Sequence, residues 1–90
     1  MDIFEYKRQG GKLIGVSFNY ENGIFSHVRI YGDFFVFPVE EIDNLEESFD
    51  GKSLPELLGL IEDFFSSGVR VYGITAEDLK EGFKRAINEK

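Results

Sequence analysis

The sequence is poor in the residues on which most catalytic and metal-binding sites depend. It has no cysteine and one histidine among 90 residues. The absence of cysteine excludes a disulfide scaffold, thiol catalysis and any cysteine-held zinc or iron–sulfur site. His27 has no evident orienting partner for proton chemistry, and the acids of residues 40–47 are spaced around a solvated helix face. We therefore expect no catalytic residue, no metal ligand and no free-standing enzyme.

Basic residues are also scarce. Ten Lys and Arg stand against 17 Asp and Glu, which gives a formal net charge of −7 at pH 7. Such a balance disfavours nucleic acids and anionic membranes as partners. No apolar run approaches the roughly 18 residues of a membrane span, and the first residues lack the basic start and apolar middle of a signal peptide. We expect a soluble, cytoplasmic protein.

Three runs of alternating apolar residues fill the first third of the chain, at residues 3–8, 12–21 and 24–31. Alternation at period two predicts strands, and the short glycine-containing connections predict an antiparallel meander. The loop Gln9-Gly10-Gly11 is expected to place Phe4 and Tyr6 beside Val16 and Ile14.

The turn at Asn22-Gly23 decides which residues of the second and third strands face one another. A two-residue turn would pair Val16 with Arg29 and divide the apolar residues between two faces. A three-residue loop over residues 21–23, with Gly23 left-handed in a bulge, pairs Val16 with Val28 and keeps one face apolar. We therefore predict the three-residue loop, which also brings Ile24 onto the apolar face. The opposite, mixed face would then carry Phe25, His27, Arg29 and Tyr31.

The remaining residues carry three helical patterns. The first is expected to start at Pro38, the second at the capping box Ser53-Leu54-Pro55-Glu56, and the third at Thr75. With a short extended stretch at residues 69–73, this predicts one domain over residues 1–90. Its fold class is α+β: a three-stranded antiparallel meander with about three helices on one face.

The stretch Tyr31-Gly32-Asp33-Phe34-Phe35 ends the third strand with a glycine, an acid and two rings, and it has two interpretations. It could be structural, since glycine permits unusual backbone angles, Asp33 can bond its own following backbone, and one Phe would enter the core. It could also dock on a partner through Asp33 and the outward Phe. Val71-Tyr72-Gly73 carries a similar, weaker signal.

The same stretch resembles the C-terminal accessory domain of lipoate–protein ligases. The similarity extends to the opening strand Phe4-Glu5-Tyr6-Lys7-Arg8 and to the hairpin of residues 16–31. It also includes the acidic helix after the Phe pair and Gly73-Ile74-Thr75 before the last helix, so it covers about residues 3–88. The fold of this family is similar to that of sulfur-acceptor and iron–sulfur scaffold proteins, whose cysteines this chain lacks.

The resemblance implies a function. In this family a large domain binds lipoate and ATP, makes lipoyl-adenylate and passes the lipoyl group to a lysine on an acceptor domain. The small domain supports the adenylation step and is a separate polypeptide in some archaea. Because this sequence starts at a Met and holds only the small domain, it resembles the separate form.

The implied protein is a non-catalytic accessory subunit in a heterodimer with the large catalytic subunit, on which lipoate and ATP bind; this chain binds no cofactor. Its contact surface should include the turn at residues 31–35 or the mixed sheet face. The interface candidates are Tyr31, Gly32, Asp33, Phe34, Phe35, Tyr72, Gly73, His27 and Arg29. The alternative is an orphan protein–protein interaction module of the same fold in sulfur or cofactor metabolism.

Overall fold

The structure is a computed structural model that describes residues 2–7, 10 and 12–88. The elements in chain order are β1 (Asp2–Lys7), β2 (Leu13–Glu21), β3 (Ile24–Gly32), β4 (Phe35–Phe37), α1 (Glu41–Ser48), α2 (Leu54–Ser66), β5 (Arg70–Tyr72) and α3 (Ala76–Asn88). Strands β1, β2 and β3 form a three-stranded antiparallel sheet in that order. The predicted α+β meander with three helices is therefore confirmed. Strands β4 and β5 form a second, two-stranded sheet that the sequence did not predict, hereafter the ribbon.

The register between β1 and β2 is the predicted one. Phe4 stands opposite Val16 and Tyr6 stands opposite Ile14. The predicted loop Gln9-Gly10-Gly11 lies outside the described residues except for Gly10. The apolar side of this strand pair packs against the helices, and Ile14 and Val16 are buried there.

The hairpin between β2 and β3 differs from the prediction. Glu21 pairs with Ile24 across a two-residue turn, in which Asn22 has φ 52° and Gly23 has φ 78°. The predicted three-residue loop is wrong, and so is the pairing of Val16 with Val28, because Val16 faces Ile30.

A bulge in the middle of β3 restores the apolar face. The register shifts between the Ser17–Arg29 and Asn19–Ser26 pairs, so that Phe18 stands opposite both His27 and Val28. His27 takes a left-handed φ of 53° there. An extra residue reverses which side chains point inward. Phe25, predicted on the mixed face, is therefore fully buried, whereas Ile24, predicted on the apolar face, is 41% exposed.

The core centres on Phe83 of α3. Its ring lies 5.6 Å from that of Phe49, 5.8 Å from that of Phe25 and 6.3 Å from that of Phe18, measured between centroids. All four rings are fully buried. Two of the three contacts, to Phe25 and Phe49, are edge-to-face, the arrangement that the ring quadrupole favours. The core thus joins α3 to β2, to β3 and to the end of α1.

Two of the three helices begin where the sequence predicts. At α2, the amide of Ser53 donates to the Glu56 carboxylate (3.0 Å) and the Glu56 amide donates to the Ser53 hydroxyl (3.5 Å). Thr75 and Asp78 make the same reciprocal pair at α3. Helix α1 begins at Glu41 rather than at Pro38, because residues 35–37 form β4 and the chain then turns. In the part of the chain described, no helix has the length and apolar character needed to cross a membrane.

Candidate docking surface

The corner between β3 and the ribbon is built by Gly32 and Asp33. A Cβ at Gly32, which has φ 146°, would lie 2.2 Å from the Leu13 carbonyl oxygen, so only glycine fits. Asp33 bonds both backbone groups of Leu13: its amide donates to the carbonyl (3.0 Å), and its carboxylate accepts from the amide (3.2 Å). The bond partner of the carboxylate is thus Leu13 and not the backbone after Asp33. Both residues hold the chain where it leaves the sheet.

The far end of β5 meets the same corner. Gly73 has φ 105°, and a Cβ there would lie 2.7 Å from the Asp33 carbonyl oxygen. Phe34 is half-buried and packs against the core. The predicted bond from Asp33 to its own following backbone is therefore wrong, but a structural role still accounts for Gly32, Asp33, Phe34 and Gly73, which fix the position of the ribbon.

The ribbon places apolar side chains on both of its faces. Val36 stands opposite Val71 on the inner face, where Val36 is buried. Phe35 stands opposite Tyr72, and Phe37 stands opposite Arg70, on the outer face. There Phe35 is 69% exposed, Tyr72 51% and Phe37 50%. We define the ribbon face as these four outer residues together with the neighbouring, exposed Val39.

The outer rings of the ribbon are not isolated from one another. The ring centroids of Phe37 and Tyr72 lie 6.1 Å apart in an edge-to-face arrangement. Beside them runs an open groove of about 290 Å³. Its apolar lining includes Ile30, Tyr31, Phe34, Phe35, Phe37 and Ile42. An apolar side chain from another molecule could enter this groove.

Charge is nearly absent from this part of the chain. Residues 34–39 and 69–74 contain one charged residue, Arg70, and no acid, in a protein with 17 Asp and Glu. Among the described residues, no hydrogen bond or ion pair is found at the Arg70 guanidinium. The ribbon face is therefore an apolar surface with one positive charge on an otherwise acidic protein.

Tyr31 has its polar end engaged within the fold. Its ring lies over Gly15, where a Cβ would approach the ring to 2.2 Å, and its hydroxyl donates to the Glu5 carboxylate. That hydrogen bond raises the pKa of the Tyr31 hydroxyl. Tyr31 also lines the groove, so this residue links the outer sheet face to the ribbon face.

His27 and Arg29 lie elsewhere. The His27 amide donates to the Asp50 carboxylate (3.3 Å), and its ring Nδ1 lies 3.3 Å from the Asn19 amide nitrogen. The Arg29 guanidinium donates to the Val28 carbonyl (3.0 Å). Both residues line a depression with Glu46, Glu47 and Asp50. The structure thus separates these two interface candidates from the ribbon.

Glu46 of α1 covers the free edge of β3. Its carboxylate is buried and accepts a hydrogen bond of 2.6 Å from the Ile30 amide. Burial raises the pKa of Glu46, while the Ile30 amide and the charge of Arg29 act in the opposite direction.

The described residues contain no group of three or more His, Asp or Glu side chains that could hold a metal ion.

Phe37, Val39 and Arg70 were missed as interface candidates. Two three-residue strands are too short to show alternation by themselves, and their pairing joins residues far apart in the sequence. The available signal was that Phe35-Val36-Phe37 and Arg70-Val71-Tyr72 each place a valine between two larger side chains. Taken together, fold and surface define a small α+β domain with an exposed apolar face on its ribbon.

Comparison with known proteins identifies the family. Residues 4–82 match the family of the bacterial lipoate protein ligase C-terminus. Lipoate-protein ligase A subunit 2 of Thermoplasma acidophilum is 32% identical over 72 residues, which make up 80% of this chain and 77% of that protein. The chain therefore belongs to the family of the lipoate protein ligase C-terminus, and the resemblance seen in the sequence is confirmed.

A solved structure shares the fold. It superposes with a TM-score of 0.76 at 30% identity, covering 96% of this chain and 92% of the other. It comes from work on an archaeal lipoylation system of Thermoplasma acidophilum, described as a bi-partite lipoate protein ligase and its E2 lipoyl domain. The similarity to a relative that is itself a separate subunit agrees with the resemblance to the separately encoded small domain.

Proposed function

We propose that this chain is the non-catalytic accessory subunit of an ATP-dependent lipoate–protein ligase. It would form a heterodimer with a separate large catalytic subunit in the cytoplasm and support the formation of lipoyl-adenylate there. The observation that carries the proposal is the similarity to a ligase subunit 2 over most of both chains. Residues 1–90 act as one domain, and lipoate and ATP bind to the large subunit.

The physical role is conformational. An acyl-adenylate reacts readily with water, so its formation benefits from a closed site with ordered loops. A small body with a rigid core can order such loops by docking beside them. The core around Phe83 and the ribbon fixed by Gly32 and Asp33 supply that rigidity.

Reconstitution tests the proposal. The large ligase subunit of the same organism is assayed for lipoate-dependent release of pyrophosphate from ATP, with and without this chain. We expect release to increase when the chain is added, and no release from the chain alone. No increase over the large subunit alone would refute the proposal. If the chain also fails to bind the large subunit, the alternative of an interaction module with another partner replaces it.

A further inference from the structure

We propose that the ribbon face is the surface through which this chain docks on the large catalytic subunit. Its aromatic side chains would pack among apolar residues of that subunit, and Arg70 would pair with a carboxylate there. The inference rests on the proposed function, which supplies the partner but not the surface. It gives Phe35 and Tyr72 the interface role predicted from the sequence, and it adds Phe37, Val39 and Arg70.

Folding does not account for the outer side of the ribbon. The inner valines bury the ribbon against the domain, so polar residues outside would serve folding equally well. Instead Phe35, Phe37 and Tyr72 are at least half exposed and lie next to one another. The comparably exposed Ile3, at 67%, lies on the three-stranded sheet and away from this cluster. Clustered exposed rings mark interaction surfaces, whereas single exposed apolar residues need no explanation.

The ribbon face is also held in place before any partner binds. Backbone pairing joins Phe35 to Tyr72 and Phe37 to Arg70, and the glycine corner fixes the ribbon to the sheet. Rings with few rotatable bonds lose little entropy when they bind, and aromatic residues and Arg dominate the binding energy of protein interfaces. The ribbon face thus has the composition and rigidity of an interface centre.

Charge decides which partner fits. A two-fold contact between copies would place the same patch on both sides, but this patch has Arg70 and no acid. In a contact between two copies, Arg70 would therefore find no carboxylate in the facing patch. Such a contact would also bring together two proteins that each carry a net charge of −7. A different protein with an acid among apolar residues complements the face, so we assign the ribbon face to the heterologous subunit.

The competing surface is the face of the three-stranded sheet that points away from the helices. Its polar groups are largely used inside the fold, since Tyr31 bonds Glu5 and Arg29 bonds the Val28 carbonyl. Breaking such bonds to make new ones across an interface gains little. Among the residues that the structure describes, Arg70 of the ribbon face has no such bond to lose, and the rings of that face are already exposed.

The test compares matched surface substitutions in the complete chain. Phe35→Ser and Phe37→Ser change the ribbon face, and Ile3→Ser changes an equally exposed residue on the competing face. Titration calorimetry with the large subunit should show at least about tenfold weaker binding for each Phe variant. Ile3→Ser should change affinity by no more than about twofold. Arg70→Glu should weaken binding more than Arg70→Gln, with a difference that shrinks as salt is added.

The outcomes distinguish failure of the proposed docking surface from failure of the proposed function. If the unchanged chain does not bind the large subunit, the proposed function fails. If it binds and the ribbon variants bind equally well, only the docking surface is wrong. Weaker binding of Ile3→Ser alone would assign the interface to the sheet face. Sedimentation should show the isolated chain as a monomer, and a dimer abolished by Phe35→Ser would overturn the choice of partner. Arg70→Glu keeps the test decisive if a Phe variant is unstable.

Discussion

The two sheets of this protein differ in where they place their apolar side chains. The three-stranded sheet turns its apolar side chains toward the helices and covers the free edge of β3 with Glu46. On its outer side the Tyr31 hydroxyl is bonded to Glu5. The ribbon has apolar residues on both faces and leaves Phe35, Phe37 and Tyr72 in solvent. Folding explains the first sheet, whereas the proposed docking on the large subunit would explain the outer face of the ribbon.

This difference separates stability from binding. Substitutions behind the three-stranded sheet should change the free energy of unfolding. Substitutions on the ribbon face should leave the free energy of unfolding nearly unchanged and reduce affinity for the large subunit. Substitutions in the core, at the corner and on the ribbon face test this separation.

Phe83→Ala removes the ring at the centre of the core. Phe83 is fully buried and contacts the rings of Phe18, Phe25 and Phe49. We expect a loss of about 3–5 kcal/mol in the free energy of unfolding, because a cavity remains where the ring was. Urea denaturation measures it. A loss as small as that of a surface substitution would show that the core is centred elsewhere.

Gly32→Ala tests the corner that positions the ribbon. The added Cβ would clash with the Leu13 carbonyl at a φ of 146°, so we expect a loss of about 1–3 kcal/mol. Gly59→Ala is the matched control, since a Cβ in α2 meets nothing within 4 Å. It should stabilise by about 0.5–1 kcal/mol because alanine favours helix. Equal shifts of the two unfolding midpoints would contradict the assigned corner geometry.

Glu46→Ala tests the edge of β3. It leaves the buried Ile30 amide without its acceptor, and we expect a loss of about 1–3 kcal/mol. Glu46→Gln keeps an oxygen acceptor and should cost less.

The same residue gives a pH dependence of defined sign. Burial raises the pKa of Glu46 in the folded protein above its ordinary value of 4.5. Its contribution to stability is therefore fully present below pH 4.5 and is lost as pH rises through the folded pKa. Glu46→Gln should remove this part of the pH profile of unfolding. An unchanged profile would mean that the carboxylate is not buried in solution.

Phe35→Ser should have the smallest effect on stability. The ring is mostly exposed, so we expect a change below about 1 kcal/mol in the free energy of unfolding, from strand preference alone. Ile3→Ser provides the reference on the other sheet. Collapse of the fold in Phe35→Ser would show that the ribbon face serves folding, and the contrast between the sheets would disappear.

Most of the fold could be predicted from the sequence because its elements carry local signals. Capping residues mark α2 and α3, and alternation gives the β1–β2 register. The register predicted for the β2–β3 hairpin was wrong because it assumed one regular ladder of pairs from the turn onward. The bulge at His27 and Val28 breaks that assumption in the middle of β3, where no glycine announces it.

Only part of the proposed docking surface could be predicted from the sequence. The stretch at residues 31–35 drew attention to this region, yet Gly32, Asp33 and Phe34 hold the corner, and Phe35 is the most exposed of its large apolar side chains. Phe37 and Arg70 become neighbours through the pairing of β4 with β5, a long-range contact that three-residue strands do not reveal. The sequence thus suggested interface candidates next to the ribbon, whereas the tertiary pairing determines which side chains form the ribbon face.

The central claim is that this chain acts by docking and not by chemistry of its own. Its most direct test is lipoate-dependent pyrophosphate release by the large subunit, measured while the concentration of unchanged chain or of Phe35→Ser is raised. We predict that the substitution shifts the half-maximal concentration upward by at least about tenfold and leaves the maximal rate unchanged. An unshifted titration with a lower maximal rate would contradict the account, because it would place the ribbon in the reaction itself.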